Sequence, residues 1–189
     1  AGFADAAAAH ALHDGFVGDL NGDHVVKHDP GLFHGFRLGN AQDRQGGTGC
    51  TVLVFPDSAP CAVDVRGGGP ASRESELLSP MAAASGIHAI LLSGGSAFGL
   101  NASTGVMQYL EEQHIGFDTR ICKVPLVVES CIYDLGCGDN VRPDAAMGYA
   151  ACQAAETGDF REGCYGAGTG ATVGKLCGPD SMMKSGLGA

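Results

Sequence analysis

Apolar and polar positions alternate in short blocks along most of this chain, and the clearest block lies in its middle. Ala89-Ile90-Leu91-Leu92 is a continuous apolar run of a length suited to a buried strand. Ser93-Gly94-Gly95-Ser96 interrupt it. From Phe98 onward Leu100, Val106, Met107 and Leu110 recur at roughly helical spacing, and Glu111 and Glu112 close a polar face. The pattern predicts strand, glycine turn, helix, with Ser96 as the helix N-cap. Glycines in such a turn let the backbone come close to a ligand, so Gly94, Gly95 and Ser96 are expected to form a pocket wall.

Shorter strand candidates precede this unit at 36–39, 50–55 and 62–65, rich in Val and bounded by Gly and Pro. Ser72 or Ser75 is expected to cap a helix running through Leu77, Leu78 and Met81. After the central unit, residues 123–135 read as one long buried strand. Pro143 and Asp144 then open a helix carrying Ala145, Met147, Tyr149, Ala150 and Ala154. Residues 163–175 form a second glycine cluster that ends in Lys175. Strands come first and then alternate with helices, so an α/β or α+β layered fold is expected, with helices packed on sheet. Residues 1–30 are Ala-rich, then rich in Asp, Gly and His, without a sustained period. They read as an arm ahead of a domain spanning 31–189, with Pro30-Gly31 at the boundary. Within that arm His10, His13, His24 and His28 lie close together in sequence, but no Cys accompanies them. A solvated arm is the preferred reading over a metal site, and no metal or cofactor is expected.

Composition narrows the function classes. The 189 residues suffice for one domain with its own core. A formal charge of -10 argues against a nucleic-acid partner, because phosphate binding needs a basic face. No apolar run approaches the roughly 20 residues of a membrane helix, and the N-terminal stretch lacks the basic start and apolar core of a secretory leader. A cytoplasmic protein is therefore expected. Eight cysteines sit singly, with no C-x-x-C pair, and are expected to be reduced and buried. The chain starts without Met and stops at an uncapped glycine-rich stretch, which reads as a fragment.

Familiar catalytic signatures fail on inspection. Gly94-Gly95-Ser96-Ala97-Phe98 approaches a nucleophile elbow, but Phe98 replaces the last glycine and His114 is the sole later histidine. Residues 170–175 approach a phosphate loop, yet Thr169 stands in place of its first glycine and Leu176 in place of the magnesium-binding hydroxyl. Gly166, Gly168 and Ala171 fit a degenerate dinucleotide pattern that Gly174 interrupts. Two residues keep their interest. Lys175, flanked by Val173 and Leu176, is a partly buried ammonium by expectation, serving either a structural ion pair or a catalytic task. Tyr133 either packs in the core or aims its hydroxyl into a pocket, where it would hold a developing oxyanion.

Taken in order, GFRLGNAQDRQGGTGCTVLVFP, AVDVRGGGPASRE, LLSGGSAFGLNASTGVMQYLEE, VPLVVESCIYDL, RPDAAMGYAAC and GAGTGATVGKLCG resemble the L-aminopeptidase/D-esterase (DmpA) family of autoprocessed hydrolases. β-Peptidyl aminopeptidases and the nylon-oligomer hydrolase are relatives, and the resemblance covers residues 31–189. It implies a four-layer αββα sandwich, of the type shared with ornithine acetyltransferase and incomplete in this chain. It also implies a precursor that cuts its own backbone before a Ser or Thr. That residue becomes the N-terminus of a β chain and the nucleophile, with its freed α-amine as base. By the resemblance Tyr133 is the active-site tyrosine, and Lys175 matches the active-site lysine of the nylon-hydrolase-like branch.

The nucleophile and its acidic partners are expected beyond Ala189, so no hydrolysis is expected from these residues alone. The implied substrates are small peptides and amino-acid amides or esters, and the implied partners are the self-derived β chain and further αβ units in an oligomer. Two other readings stand beside this one: a non-catalytic binding or oligomerisation module of the same fold, and an acyltransferase of the ornithine-acetyltransferase type.

Overall fold

In a computed structural model of the chain, residues 9–11 and 35–187 are described. The proposed boundary at Pro30-Gly31 and the side chains of His10, His13, His24 and His28 lie outside them. At its centre is a five-stranded sheet made of β1 (Arg37–Asp43), β2 (Thr48–Ala59), β3 (Ser72–Arg73), β4 (Ile87–Ser93) and β5 (Val127–Cys131). Its spatial order is β1-β2-β4-β5-β3. Neighbours are antiparallel except β4 and β5, which run parallel with Ala89 opposite Val127 and Ser93 opposite Cys131. Parallel neighbours need a crossover connection, and α1 (Ala102–Glu112) provides it. Helix α2 (Ala145–Thr157) follows β5, with Asp144 as N-cap accepting from the Met147 N–H at 2.9 Å.

Both helices cover one face of the sheet. Cys50, Val52 and Val54 of β2, Ala89 and Leu91 of β4 and Val127 of β5 meet Ala102, Val106 and Leu110 of α1 and Ala151, Cys152 and Ala155 of α2. The helices touch backbone to backbone. A β-carbon at Gly105 would fall onto the Ala145 carbonyl, and one at Gly148 onto the Ala102 carbonyl. The opposite face carries a smaller cluster, Phe55, Ile87, Ile90 and Val128. Leu53, Leu77, Leu78, Leu92 and Leu126 lie partly exposed around it.

Several elements differ from the pattern-based expectation, each for a local reason. The long strand predicted over 123–135 is divided at Pro125, which cannot donate to a ladder. Lys123–Val124 pairs instead with Phe117–Asp118, and β5 is confined to Val127–Cys131. The helix expected from Ser72 or Ser75 is only a 3₁₀ turn, Ser75–Leu78, because Pro80 forces Ser79 into extended backbone; Ser72 itself lies in β3. Within the arm expected over 1–30, Ala9–Ala11 forms a short antiparallel pair with Cys61–Val63. The cysteines are free but not uniformly buried: Cys50, Cys131 and Cys152 are, whereas Cys122, Cys164 and Cys177 are exposed. Among the described residues no helix is long and apolar enough to cross a membrane.

Candidate functional site

The glycine turn after β4 sits where two other glycine-rich segments converge on one buried carboxylate. Asp134, just beyond β5, is 3% exposed. Its Oδ2 accepts the Thr48 hydroxyl at 2.8 Å and its Oδ1 accepts the Gly95 N–H at 2.6 Å. Around it space is exhausted. A β-carbon at Gly94 would fall onto Asp134 Oδ2 and Thr48 Oγ1, and one at Gly170 onto the Gly47 carbonyl and Asp134 Oδ2. A buried carboxylate is costly unless each oxygen meets a donor, and here both do. Segments 46–49 and 94–96 are thereby tied to the end of β5, and 166–170 packs against the same carboxylate at Gly170.

Backbone bonds complete the turn. The Gly94 N–H donates to the Gly49 carbonyl, and the Ser96 N–H to the Ile132 carbonyl, each at 2.9 Å. Gly95 and Ser96 are both left-handed, with φ of 80° and 54°. That conformation overturns the expectation for Ser96: an N-cap needs extended backbone, and the Ser96 side chain makes no capping bond. A 3₁₀ turn, Ser96–Asn101, precedes α1 in place of a continuous helix from Phe98. The N–H groups of Gly94, Gly95 and Ser96 are all engaged, so none is free to bind an oxyanion. Gly94 and Gly95 are buried, while Ser96 is half-buried.

Tyr133 lies between the two residues that hold this turn, Ile132 through its carbonyl and Asp134 through its carboxylate. It is 50% exposed, which excludes core packing. Among the described residues its hydroxyl has no hydrogen-bond partner, so it remains an available donor beside the turn.

Lys175 is placed differently. Gly174, with φ of 82°, turns the chain into a short 3₁₀ turn, Lys175–Cys177, and the half-buried Lys175 Nζ donates to the Thr172 carbonyl at 2.6 Å. The structural ion pair weighed for it is not seen: no carboxylate of the described residues lies within 4 Å. No hydrogen bond joins Lys175 to Tyr133 or to the 94–96 turn. Pattern reading missed Asp134 and Thr48 as partners, and also Lys184, whose Nζ donates to the carbonyls of Gly168, Ala171 and Ser185 at 2.8, 3.1 and 3.0 Å. The available signal for Asp134 was a lone acid following an apolar run and facing glycines on every side.

The model of peptidase family S58 matches residues 33–181. The chain is 44% identical over 138 residues to an uncharacterized aminopeptidase of Mycobacterium leprae, covering 69% of this chain and 38% of that protein. It is 37% identical over 145 residues to a 6-aminohexanoate-oligomer endohydrolase of a Kocuria species, covering 76% of this chain and 38% of that enzyme. A Pyrococcus horikoshii protein of known crystal structure superposes with a TM-score of 0.53 at 22% identity, over 72% of this chain and 42% of that one. The chain belongs to peptidase family S58, and the family resemblance read from its motifs is borne out. The matched region spans about two fifths of the length of these curated relatives.

Proposed function

We propose that this chain is the α portion of an autoprocessed amide hydrolase acting on small peptides and amino-acid amides or esters. The observation that carries the reading is Tyr133: a half-exposed phenol with a free hydroxyl, held beside a glycine turn whose own N–H groups are engaged. In the proposed reaction a Ser or Thr hydroxyl, made N-terminal by self-cleavage, attacks the substrate carbonyl while its α-amine takes the proton. The carbonyl oxygen becomes an anion that must meet a preorganised donor. With the turn's amides closed off, the Tyr133 hydroxyl fills that role, and Ser96 lines the substrate side. Collapse expels the amine and leaves an acyl-enzyme that water hydrolyses. Lys175 supplies a positive charge near the α-amine, favouring its neutral, proton-accepting form. In this proposal a second sheet covers the partly exposed apolar face of the first, completing the αββα sandwich, and the αβ units associate as an oligomer in the cytoplasm.

The test uses protein expressed from the complete reading frame, assayed on aminoacyl p-nitroanilides. Tyr133→Phe removes one oxygen that no described residue hydrogen-bonds. It is expected to lower kcat by roughly 10²- to 10³-fold without changing the melting temperature. Full activity in that variant overturns the role. Residues 1–189 expressed by themselves are expected to show no turnover.

A further inference from the structure

At the edge of the sheet, β1 and the chain that follows α2 line an open recess. Its volume is about 200 Å³, and Asn40, Gln42, Arg44, Asp159, Arg161 and Tyr165 line it. The walls are locked together. Asn40 Nδ2 donates to the Arg161 carbonyl at 2.7 Å, and Gln42 Oε1 accepts the Gly166 N–H at 3.0 Å. The Thr51 hydroxyl donates to Asn40 Oδ1 at 3.0 Å and accepts the Ala167 N–H at 3.2 Å. Inside, the guanidinium groups of Arg44 and Arg161 both lie against the Tyr165 ring, 4.8 and 5.6 Å from its centre.

The charge arrangement is unusual for this chain, in which 21 acids face 11 bases. Asp159 pairs with Arg161 at 3.5 Å, whereas no carboxylate of the described residues comes within 4 Å of Arg44. The Gln42 amide NH₂ also has no partner among them. One positive charge and a neutral donor are therefore left facing the recess, while Asp159 disfavours a doubly charged guest. A guanidinium presents its N–H groups as a planar fork that matches a carboxylate. We propose that this recess binds the carboxylate of a small organic acid or of a peptide terminus, with Arg44 as the fork and Gln42 and Arg161 beside it. This inference does not depend on the hydrolase reading.

Tyr165 supplies the readout. Hydrogen bonding from Arg161, then from Arg44, holds its phenol below the ordinary tyrosine range. A bound carboxylate competes for those guanidinium groups and moves the phenol back up. The full chain is titrated with acetate, N-acetylglycylglycine, its C-terminal amide and inorganic phosphate. Phenolate absorbance is followed, with Tyr165→Phe identifying the signal. Saturable binding of the carboxylates with an upward shift of the Tyr165 midpoint is expected. Arg44→Gln should weaken it about tenfold or more and Arg44→Lys by less, with melting temperatures unchanged. Preference for the peptide acid over acetate assigns the site to peptide termini, and the reverse assigns it to free acids. Equal binding of the amide, tighter binding of phosphate, indifference to Arg44→Gln, or no saturable binding overturns the proposal.

Discussion

Asp134 and Glu129 are both buried acids near the end of β5, 3% and 2% exposed, but their surroundings treat them in opposite ways. Each oxygen of Asp134 meets a donor from a different segment, Thr48 from β2 and Gly95 from the glycine turn. Glu129 points into the helix-covered face, where Oε1 accepts the Ser93 hydroxyl at 2.9 Å and Oε2 has no partner. Burial pushes the Glu129 carboxyl above its ordinary value of 4.5, outweighing hydrogen bonds from Ser103 and Ser93. The difference shows what a buried acid is for. Fully bonded, it ties loops together; half-bonded, it stays in the core with its pKa raised by burial.

The strongest way to break this contrast is Gly94→Ala. The added methyl group collides with both the Asp134 carboxylate and the Thr48 hydroxyl, so a loss of about 3 kcal/mol or more is expected in denaturant unfolding. Asp134→Ala comes next, leaving two donors unsatisfied for roughly 2–4 kcal/mol. An unchanged midpoint in either variant contradicts the assignment of Asp134 as the organising group.

Glu129→Gln sharpens the other side. The folded carboxyl keeps its proton to higher pH than the unfolded one. The folded state therefore binds more protons in the window from 4.5 up to the raised value, and wild-type stability falls as pH rises through it. The variant loses that dependence. It is expected to be the more stable of the two at neutral pH, with the gap closing as pH drops below 4.5, as followed by melting curves across pH. The smallest effect is Ser96→Gly. It relieves a left-handed serine at φ 54°, and a gain of about 0.5–1 kcal/mol is expected.

Legibility in the sequence followed the range of the interactions involved. The central strand, the glycine turn and the Asp144-capped helix were readable, because apolar runs, glycines and caps act on near neighbours. Pro125 and Pro80 were visible as well, and their power to end elements was underweighted. Ser96 was misread because hydroxyl chemistry favours a cap while its backbone obeys the ties to Ile132 and Asp134, which pair residues far apart in sequence. The same distance hid the Thr48–Asp134 bond and the joining of Gln42 to Gly166. Tyr133 could be singled out but not oriented, since alternation beyond a strand end does not say which way a side chain faces.

The central claim is most directly tested by intact-mass measurement on protein expressed from the complete reading frame, sampled over time alongside p-nitroanilide assays. The account predicts two chains. The smaller should begin with Ser or Thr, and hydrolysis should appear in step with the cleavage. A single uncleaved chain that hydrolyses the substrate at full rate would contradict it.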